Sequence, residues 1–223
     1  MNIDAGERDD EPEELYALAH VVNVACGGHA GDDASMRRVL AACVRLGTRA
    51  GAHPSYADRQ GFGRRALSAR PDAIRATVAE QCEALLAIAA AVGARVLYVK
   101  PHGALYHAAS ADRAIADAVV AGAVEVLGYG ITVIGPAVGA LVDAGATAGL
   151  AFAREGFADR GVRADGSLVP RGEPGALIDD PIGAAARARA LVDAGEVETI
   201  CVHGDTPGAL AIARAVRAAV ERA

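Results

Sequence analysis

Ionisable and polar side chains recur where short apolar segments of the sequence end. The residues concerned are Asp4, Glu7, Asn23, His29, His53, Lys100, His102, Glu155, His203 and Asp205. Carboxylates and imidazoles that meet at one place suit either general acid–base catalysis or the ligation of a divalent metal. Lys100 is the only lysine in a chain with 22 basic residues, so its compact ammonium is a candidate for a task that arginine does not perform.

The segments that carry these residues alternate with longer, alanine-rich segments whose charges recur at helical spacing. This alternation is typical of repeated βα units on a parallel sheet. It predicts seven strands, near residues 1–4, 21–25, 48–53, 95–100, 131–134, 150–153 and 199–203. It predicts six helices, at about residues 34–46, 71–92, 112–126, 138–144, 181–194 and 207–221.

The polar residues at the ends of five strands favour a barrel over an open sheet. The carboxyl ends of parallel barrel strands converge on one mouth, where the active sites of such barrels are built. We therefore predict an α/β fold, a distorted barrel of the (β/α)7 type, with residues 1–223 as a single domain. One stretch, residues 154–176, has no clear pattern and is predicted to be a functional or mobile loop.

Composition and charge exclude several classes of protein. The chain has 223 residues, 52% of them hydrophobic and 22% charged, with a net charge of −6. An acidic chain with scattered arginines is a poor match for nucleic acid. The first residues are acidic, and no apolar run has the length of a membrane span. We expect a cytoplasmic protein that binds neither nucleic acid nor membrane, with its four separated cysteines reduced.

Local motifs narrow the chemistry further. The sequence contains no P-loop, no dinucleotide-binding glycine motif and no G-x-S-x-G elbow. The segment "DRQGFGRR" at 58–65 offers Arg64 and Arg65 as a candidate anion clamp. His20 and His107 lie away from the strand ends and are expected to be structural.

The sequence leaves the presence of a metal open. If a divalent metal is bound, Asp4, His29 and His102 are its candidate ligands. The same residues suit acid–base work without a metal, and no local pair such as H-E-x-x-H decides between the two.

Six segments together carry a family resemblance that runs in register to about residue 210. They are "NVACGGHAGD", "GAHPSYADRQGFGRR", "YVKPHGALY", "REGFADR", "LVPRGEPGA" and "TICVHGDTPGA". On these segments the chain resembles the LamB/YcsF family. The resemblance implies a barrel related to that of the polysaccharide deacetylases, and ATP-coupled opening of 5-oxoproline to glutamate in a complex with subunits B and C. Two segments are shorter than is typical of the family: the one after Glu7 and the approach to the last strand.

The resemblance also implies roles for the polar residues. We expect Lys100 to neutralise a phosphate or an oxyanion, unless it is paired with Asp4 or Glu7. His29 or His102 is the expected general base. Asp4 and Asp205 are expected to orient an imidazole or a metal. The remaining candidates for substrate binding are Glu7, Asn23, His53, Arg64, Arg65, Glu155 and His203. Lys100→Met is expected to abolish turnover while the fold stays intact.

ATP is expected as a co-substrate. Whether the protein binds a divalent metal and whether it forms a homo-oligomer are left open by the sequence. Two other functions also stay open. One is a stand-alone, metal-dependent hydrolase or deacetylase acting on an amide or a carbohydrate. The other is a non-catalytic scaffold subunit that holds its partners.

Overall fold

A computed structural model describes residues 1–163 and 168–221. Seven parallel strands close into a barrel in which each strand pairs with the next in sequence and the last pairs with the first. The strands are β1 (Asn2–Ala5), β2 (Val21–Ala25), β3 (Arg49–His53), β4 (Val96–Val99), β5 (Thr132–Pro136), β6 (Ala151–Phe157) and β7 (Thr199–His203). The predicted α/β barrel and its seven strands are confirmed.

The described residues form eight helices. They are α1 (Glu14–Leu18), α2 (Asp33–Leu46), α3 (Pro71–Val92), α4 (Gly103–Ala111), α5 (Arg113–Leu127), α6 (Ala140–Thr147), α7 (Pro181–Ala194) and α8 (Ala209–Val220). Six were predicted, and α3 and α7 begin at prolines, whose missing N–H is not needed in a first turn. The sequence analysis missed α1 and α4, because their short segments adjoin candidate site residues and resemble loops. None of the described helices is long and apolar enough to cross a membrane.

The two faces of the barrel wall have opposite character. Alternate residues of the strands pack outward against the helices, and these are aliphatic: Ile3, Val22, Val24, Ala50, Ala52, Val99, Val133, Ile200 and Val202. The inward positions are largely polar, and pairing in register places Asn23, Asp4 and His203 side by side. Most eight-stranded barrels fill this interior with branched aliphatic side chains. Here the interior needs hydrogen bonds and ion pairs instead, because an unpaired buried polar group is costly.

Strand β6 is longer than predicted. It continues to Phe157, so Arg154 and Glu155 lie within the strand instead of following it. Glu155 points into the barrel and is buried, whereas Arg154 pairs with Glu198 on the outside. The stretch without a clear pattern therefore begins after Phe157. Antiparallel bridges at residues 160 and 177 and at residues 162 and 168 fold it back on itself; residues 164–167 lie outside the described residues.

Helix α2 allows a direct test of the apolar layer between the barrel wall and the helices. The side chain of Leu40 is fully buried in the core, whereas Leu46 in the same helix is 38% exposed. We expect Leu40→Ala to lower the free energy of unfolding by about 2–5 kcal/mol, because it removes buried contacts and leaves a cavity. Leu46→Ala should cost less than about 1 kcal/mol. Denaturant titration followed by circular dichroism compares them, and equal losses would contradict this packing.

Candidate active site

The ammonium group of Lys100 lies inside the barrel between two carboxylates. Its Nζ lies 3.0 and 3.1 Å from the carboxylate oxygens of Asp4 on β1, and 2.8 Å from Oε1 of Glu155 on β6. The thiol sulfur of Cys201 on β7 is 3.1 Å from the same nitrogen. All four residues are buried. Lys100 is thus paired with Asp4, one of the two partners considered from sequence, and with Glu155 in place of Glu7.

Burial and pairing act in opposite directions on these charges. Burial lowers the pKa of Lys100, but Asp4, Cys201 and Glu155 raise it well above its usual value. Burial raises the pKa of Asp4, but His53 and Lys100 hold it well below its usual value. Lys100 and Asp4 are therefore both charged at neutral pH.

Two asparagine amides connect the acidic side chains of the interior. Asn2 donates through Nδ2 to Glu155 Oε1 and to Thr199 Oγ1, at 2.9 Å each. Asn23 donates through Nδ2 to Asn2 Oδ1 at 2.8 Å and to Asp4 Oδ1 at 2.9 Å. The sequence analysis missed Asn2. The signal was its spacing of two residues from Asp4, which places both on the same face of β1.

Nearer the mouth, three histidines surround the carboxylate of Glu7. The rings of His29 and His102 are stacked, with centroids 3.6 Å apart and an interplanar angle of 1°. The ring of His53 stands edge-on to both. Glu7 Oε1 lies 2.9 Å from His29 Nε2, 3.2 Å from His102 Nδ1 and 3.7 Å from His53 Nε2. Three imidazoles from separate segments at the barrel mouth therefore meet at one oxygen atom of Glu7.

Backbone carbonyls fix the orientation of two of these rings. His53 Nδ1 donates to the carbonyl oxygen of Lys100 at 2.7 Å, and His102 Nε2 donates to that of Phe62 at 3.0 Å. A carbonyl oxygen only accepts, so these two nitrogens carry protons. In a neutral ring the other nitrogen then keeps its lone pair. Burial is the largest influence on the pKa of both His102 and His29. It lowers the pKa of His102 below the ordinary histidine value and that of His29 to about 4.

The loop of residues 58–65 closes over the histidines through its backbone. Phe62 has a φ of +53°, a conformation that non-glycine residues rarely adopt. At Gly63, a Cβ atom would lie 2.8 Å from the Cβ of His29 and 3.0 Å from the Cδ2 of His102. Only glycine therefore fits at position 63, and the loop's close contact with the histidines depends on it.

The two arginines expected to clamp an anion point to different places. Arg64 lies at the rim, where its Nη2 is 2.6 Å from Asp205 Oδ2. Arg65 turns away to pair with Asp58, and its side chain is 60% exposed. Asp205 was expected to orient an imidazole or a metal. Its described partners are instead Arg64 and, at 3.2 Å, Arg171, so these three side chains form an ion-pair group across the mouth.

Asp159 is the acidic partner of His203. Its carboxylate lies 2.9 Å from His203 Nδ1 and accepts from the backbone N–H of His203 at 2.9 Å and from the hydroxyl of Thr206 at 2.6 Å. Burial lowers the pKa of His203, but Asp159 raises it above the usual value. The sequence analysis did not select Asp159, although it lies in "REGFADR", one of the segments that carry the family resemblance.

A carboxylate also holds the short segment that positions Glu7. Glu11 accepts hydrogen bonds from the backbone N–H groups of Gly6, Glu7 and Arg8, at 2.7, 2.9 and 3.1 Å. The hydroxyl of Tyr16 donates to the same carboxylate at 2.8 Å. Three consecutive N–H groups around one anion form a nest. This turn places Glu7 against the histidines.

Two groups of side chains have the composition and spacing of metal ligands. One contains Glu7, His29, His53 and His102, and the other contains Asp4, Cys201 and His203. The ligand set expected from sequence is therefore divided, with Asp4 in the second group and His29 and His102 in the first. In the second group the ammonium of Lys100 already provides a cation beside Asp4 and Cys201. In the first group the described partners of the Glu7 carboxylate are imidazoles.

Comparison with known sequences gives the family. The sequence model of the LamB/YcsF family matches residues 1–223. The chain belongs to the LamB/YcsF family. It is 47% identical to the A subunit of 5-oxoprolinase from Methylococcus capsulatus, over 97% of this chain and 90% of that protein. It is 44% identical to the A subunit of 5-oxoprolinase from Chloroflexus aggregans, over 100% of this chain and 95% of that protein.

A solved structure of the LamB/YcsF fold agrees with this membership. The lactam utilization protein from Thermus thermophilus superposes with a TM-score of 0.90 and 33% identity, covering 100% of this chain and 95% of that one. The alignment with the Chloroflexus protein spans 240 positions against the 223 residues of this chain. The difference, 240 − 223 = 17, means that this relative has residues inside the aligned range without a counterpart here. This agrees with the shorter segments noted from the sequence.

The interior ion pairs predict a stability defect in Lys100→Met. Removing the cation leaves buried carboxylates of Asp4 and Glu155 unpaired, which should cost about 3–5 kcal/mol of unfolding free energy at pH 7.5. The expectation that Lys100→Met leaves the fold intact is therefore replaced by an expected loss of stability. The exposed pair of Arg154 with Glu198 provides the control, since Arg154→Met should cost less than about 1 kcal/mol.

The pH dependence of this defect has a definite sign. In the wild type, the low pKa of Asp4 contributes stability above its unfolded value, about 3.9, that is lost as the pH falls through the folded pKa. In Lys100→Met one cause that lowers the pKa of Asp4 is removed while burial and His53 remain, so this pKa is higher than in the wild type and acidification stabilises the variant relative to the wild type. Denaturation at pH 7.5 and 5 should show the defect shrinking; a constant defect would contradict this account.

Asp159 should control the protonation of His203. We expect Asp159→Asn to lower the pKa of His203 below its wild-type value, because burial then acts without the opposing carboxylate. Asp205→Asn is the matched control, since Asp205 pairs with arginines. Titration of the histidine ring resonances by NMR measures both variants. An unchanged His203 pKa in Asp159→Asn, or an equal shift in the control, would contradict the assignment.

Proposed function

We propose that this chain is the A subunit of an ATP-dependent 5-oxoprolinase. It would open 5-oxo-L-proline to L-glutamate with ATP as co-substrate, in a complex with subunits B and C of the same enzyme. The observation that carries this proposal is the identity of 43–47% to three proteins that bear the name of this 5-oxoprolinase component, over 97–100% of this chain. The charged site enclosed at the barrel mouth supports it. That the protein is cytoplasmic and that it forms a homo-oligomer are predictions.

The chemistry of the substrate accounts for the need for ATP. A five-membered lactam is a poor electrophile, and its hydrolysis is unfavourable near neutral pH. Transfer of the γ-phosphoryl group to the amide oxygen activates the ring carbon, and water then adds to that carbon. The ring C–N bond breaks, the nitrogen gains a proton, and the resulting acyl phosphate is hydrolysed by a second water to glutamate and phosphate. The protein's task in such reactions is mainly positioning and charge stabilisation.

His102 is our candidate for the base that takes the proton from water. Its Nε2–H is held by the Phe62 carbonyl, so its Nδ1 is the accepting nitrogen. The lowered pKa keeps this ring neutral at pH 7, as a base requires. Glu7 lies 3.2 Å from the same Nδ1 and would stabilise the ring once it is charged. His29 donates to Glu7 and supports it from the other side.

The remaining polar residues are assigned by the charge or the hydrogen bond that each one offers. Lys100 holds the carboxylates of Asp4 and Glu155 in place, which makes it a positioning residue. Asn23 Oδ1 is buried and has no hydrogen-bond partner among the described residues, so it is free to accept the lactam N–H. Arg64 is the candidate for phosphate. Its ion pair with Asp205 closes the mouth and would have to open for a substrate to enter.

Release of glutamate from 5-oxoproline tests the proposal. The purified chain is assayed with and without ATP, first alone and then mixed with candidate subunits B and C. We expect ATP-dependent release only in the mixture. His102→Asn should lower the rate by about 10²-fold or more, the usual contribution of a general base. His107→Asn, in an exposed residue of α4, is the control and should keep the wild-type rate.

Two outcomes would replace the proposal. Hydrolysis of an amide or a carbohydrate by the chain alone, independent of ATP and lost with a chelator, would show a stand-alone metal-dependent hydrolase. Full activity of the mixture after replacement of both His29 and His102 would show a scaffold subunit.

A further inference from the structure

Three electron-rich atoms from separate connections of the barrel converge on one point. They are Glu7 Oε1, His53 Nε2 and His102 Nδ1. The two nitrogens are 3.0 Å apart, and the carboxylate oxygen lies 3.2 Å from His102 Nδ1 and 3.7 Å from His53 Nε2. The side chains of all three residues are at most 6% exposed.

The protons of the two rings point away from this centre. His53 Nδ1–H and His102 Nε2–H are both engaged with backbone carbonyl oxygens. His53 Nε2 and His102 Nδ1 are therefore the ring nitrogens that can offer a lone pair, and they face each other and the carboxylate of Glu7. Such an arrangement is repulsive in a buried place unless a cation occupies its centre.

We propose that Glu7, His53 and His102 bind a divalent transition-metal ion, through Oε1, Nε2 and Nδ1. Bonds of 2.0–2.1 Å in tetrahedral geometry separate neighbouring ligand atoms by about 3.3 Å, and the observed 3.0, 3.2 and 3.7 Å bracket this value. Histidines that bind metals almost always donate their other N–H to a carbonyl or a carboxylate, as both rings do here. Three protein ligands leave a coordination position open.

His29 belongs to the same group of side chains but is not a ligand in this proposal. Its Nε2 donates to Glu7 at 2.9 Å, and its Nδ1 is buried without a hydrogen-bond partner among the described residues. If Nε2 bound the metal, Nδ1 would carry a proton with no acceptor. His29 therefore orients the Glu7 carboxylate. Asp4 Oδ2 lies 3.4 Å from His53 Nε2, but the ammonium of Lys100 holds its carboxylate.

The ligand chemistry limits the identity of the ion. Two imidazoles and one carboxylate suit Zn²⁺, Mn²⁺, Fe²⁺, Co²⁺ or Ni²⁺ better than Mg²⁺, which prefers oxygen ligands. At this place a metal would supply positive charge to a developing oxyanion. This inference rests on the proposed function and changes one role in it: with Nδ1 bound to a metal, His102 would be a ligand and not the base for water. Its test uses neither ATP nor the partner subunits.

Binding of Co²⁺ and Zn²⁺ to the full chain tests the site. The protein is freed of metal with a chelator and titrated with Co²⁺ at pH 7.5, followed by visible absorption, and with Zn²⁺ by calorimetry. We expect one ion per chain, with the intense visible bands of low-symmetry Co²⁺. Glu7→Gln, His53→Asn and His102→Asn should each weaken binding by about 10²-fold or more. Glu7→Gln is nearly isosteric, so it keeps the test valid if a histidine variant fails to fold.

Two control variants separate the ligands from their neighbours. His29→Asn should keep one ion per chain with affinity reduced by about 10- to 100-fold, as expected for an orienting residue. His107→Asn should bind as the wild type does. Cys201→Ser should also leave the stoichiometry unchanged, because Cys201 belongs to the group that Lys100 neutralises.

Several results would overturn the inference. They are no binding of either ion by the folded wild type, unchanged affinity in Glu7→Gln, or loss of binding in Cys201→Ser alone. ATP-dependent glutamate release by a mixture whose A subunit is shown to be free of transition metal would reject a catalytic metal and leave the proposed function standing. Normal Co²⁺ binding without glutamate release in any mixture would reject the proposed function and leave the metal site standing.

Discussion

The barrel depends on one buried ammonium group. Lys100 lies between Asp4 and Glu155, which belong to strands on opposite sides of it in the barrel order, and it pairs with both carboxylates. The usual aliphatic filling of a barrel is replaced here by ion pairs and amide hydrogen bonds. Burying one charge requires a partner, and that partner requires further hydrogen bonds, so the polar interior is stable only as a complete network. The largely aliphatic outer face of the strands supplies the packing that holds this network in place.

The same network separates two chemical environments along the barrel axis. Deeper in the barrel, one ammonium pairs with two carboxylates, and Asn2 and Asn23 connect those carboxylates. At the mouth, Glu7 is surrounded by three imidazoles; His53 and His102 each direct an N–H toward a backbone carbonyl, and His29 donates to Glu7. The paired and hydrogen-bonded layer is suited to holding its shape. The mouth combines a carboxylate with imidazoles, and it is therefore the place where the charge of a reacting group can be accommodated.

Much of the fold was predictable from the sequence, because apolar alternation and glycine and proline positions set the strands and the long helices. The convergence of polar residues at the strand ends was also predictable, since it follows from parallel closure. The partner that each charged side chain pairs with was not predictable. Spacing could not show that Arg64 reaches Asp205 whereas Arg65 turns to Asp58, because both outcomes depend on the path of one loop. The pairing of Asp159 with His203 likewise depends on the register between β6 and β7.

The position of Lys100 also affects how this protein responds to reagents and to modifying enzymes. Its side chain is 3% exposed, and no other lysine exists in the chain. The folded protein therefore has no accessible lysine for acylation or for coupling by amine-reactive esters. Reaction at Lys100 requires the barrel to open, so the rate at which a lysine-directed label appears there reports directly on how often the barrel opens.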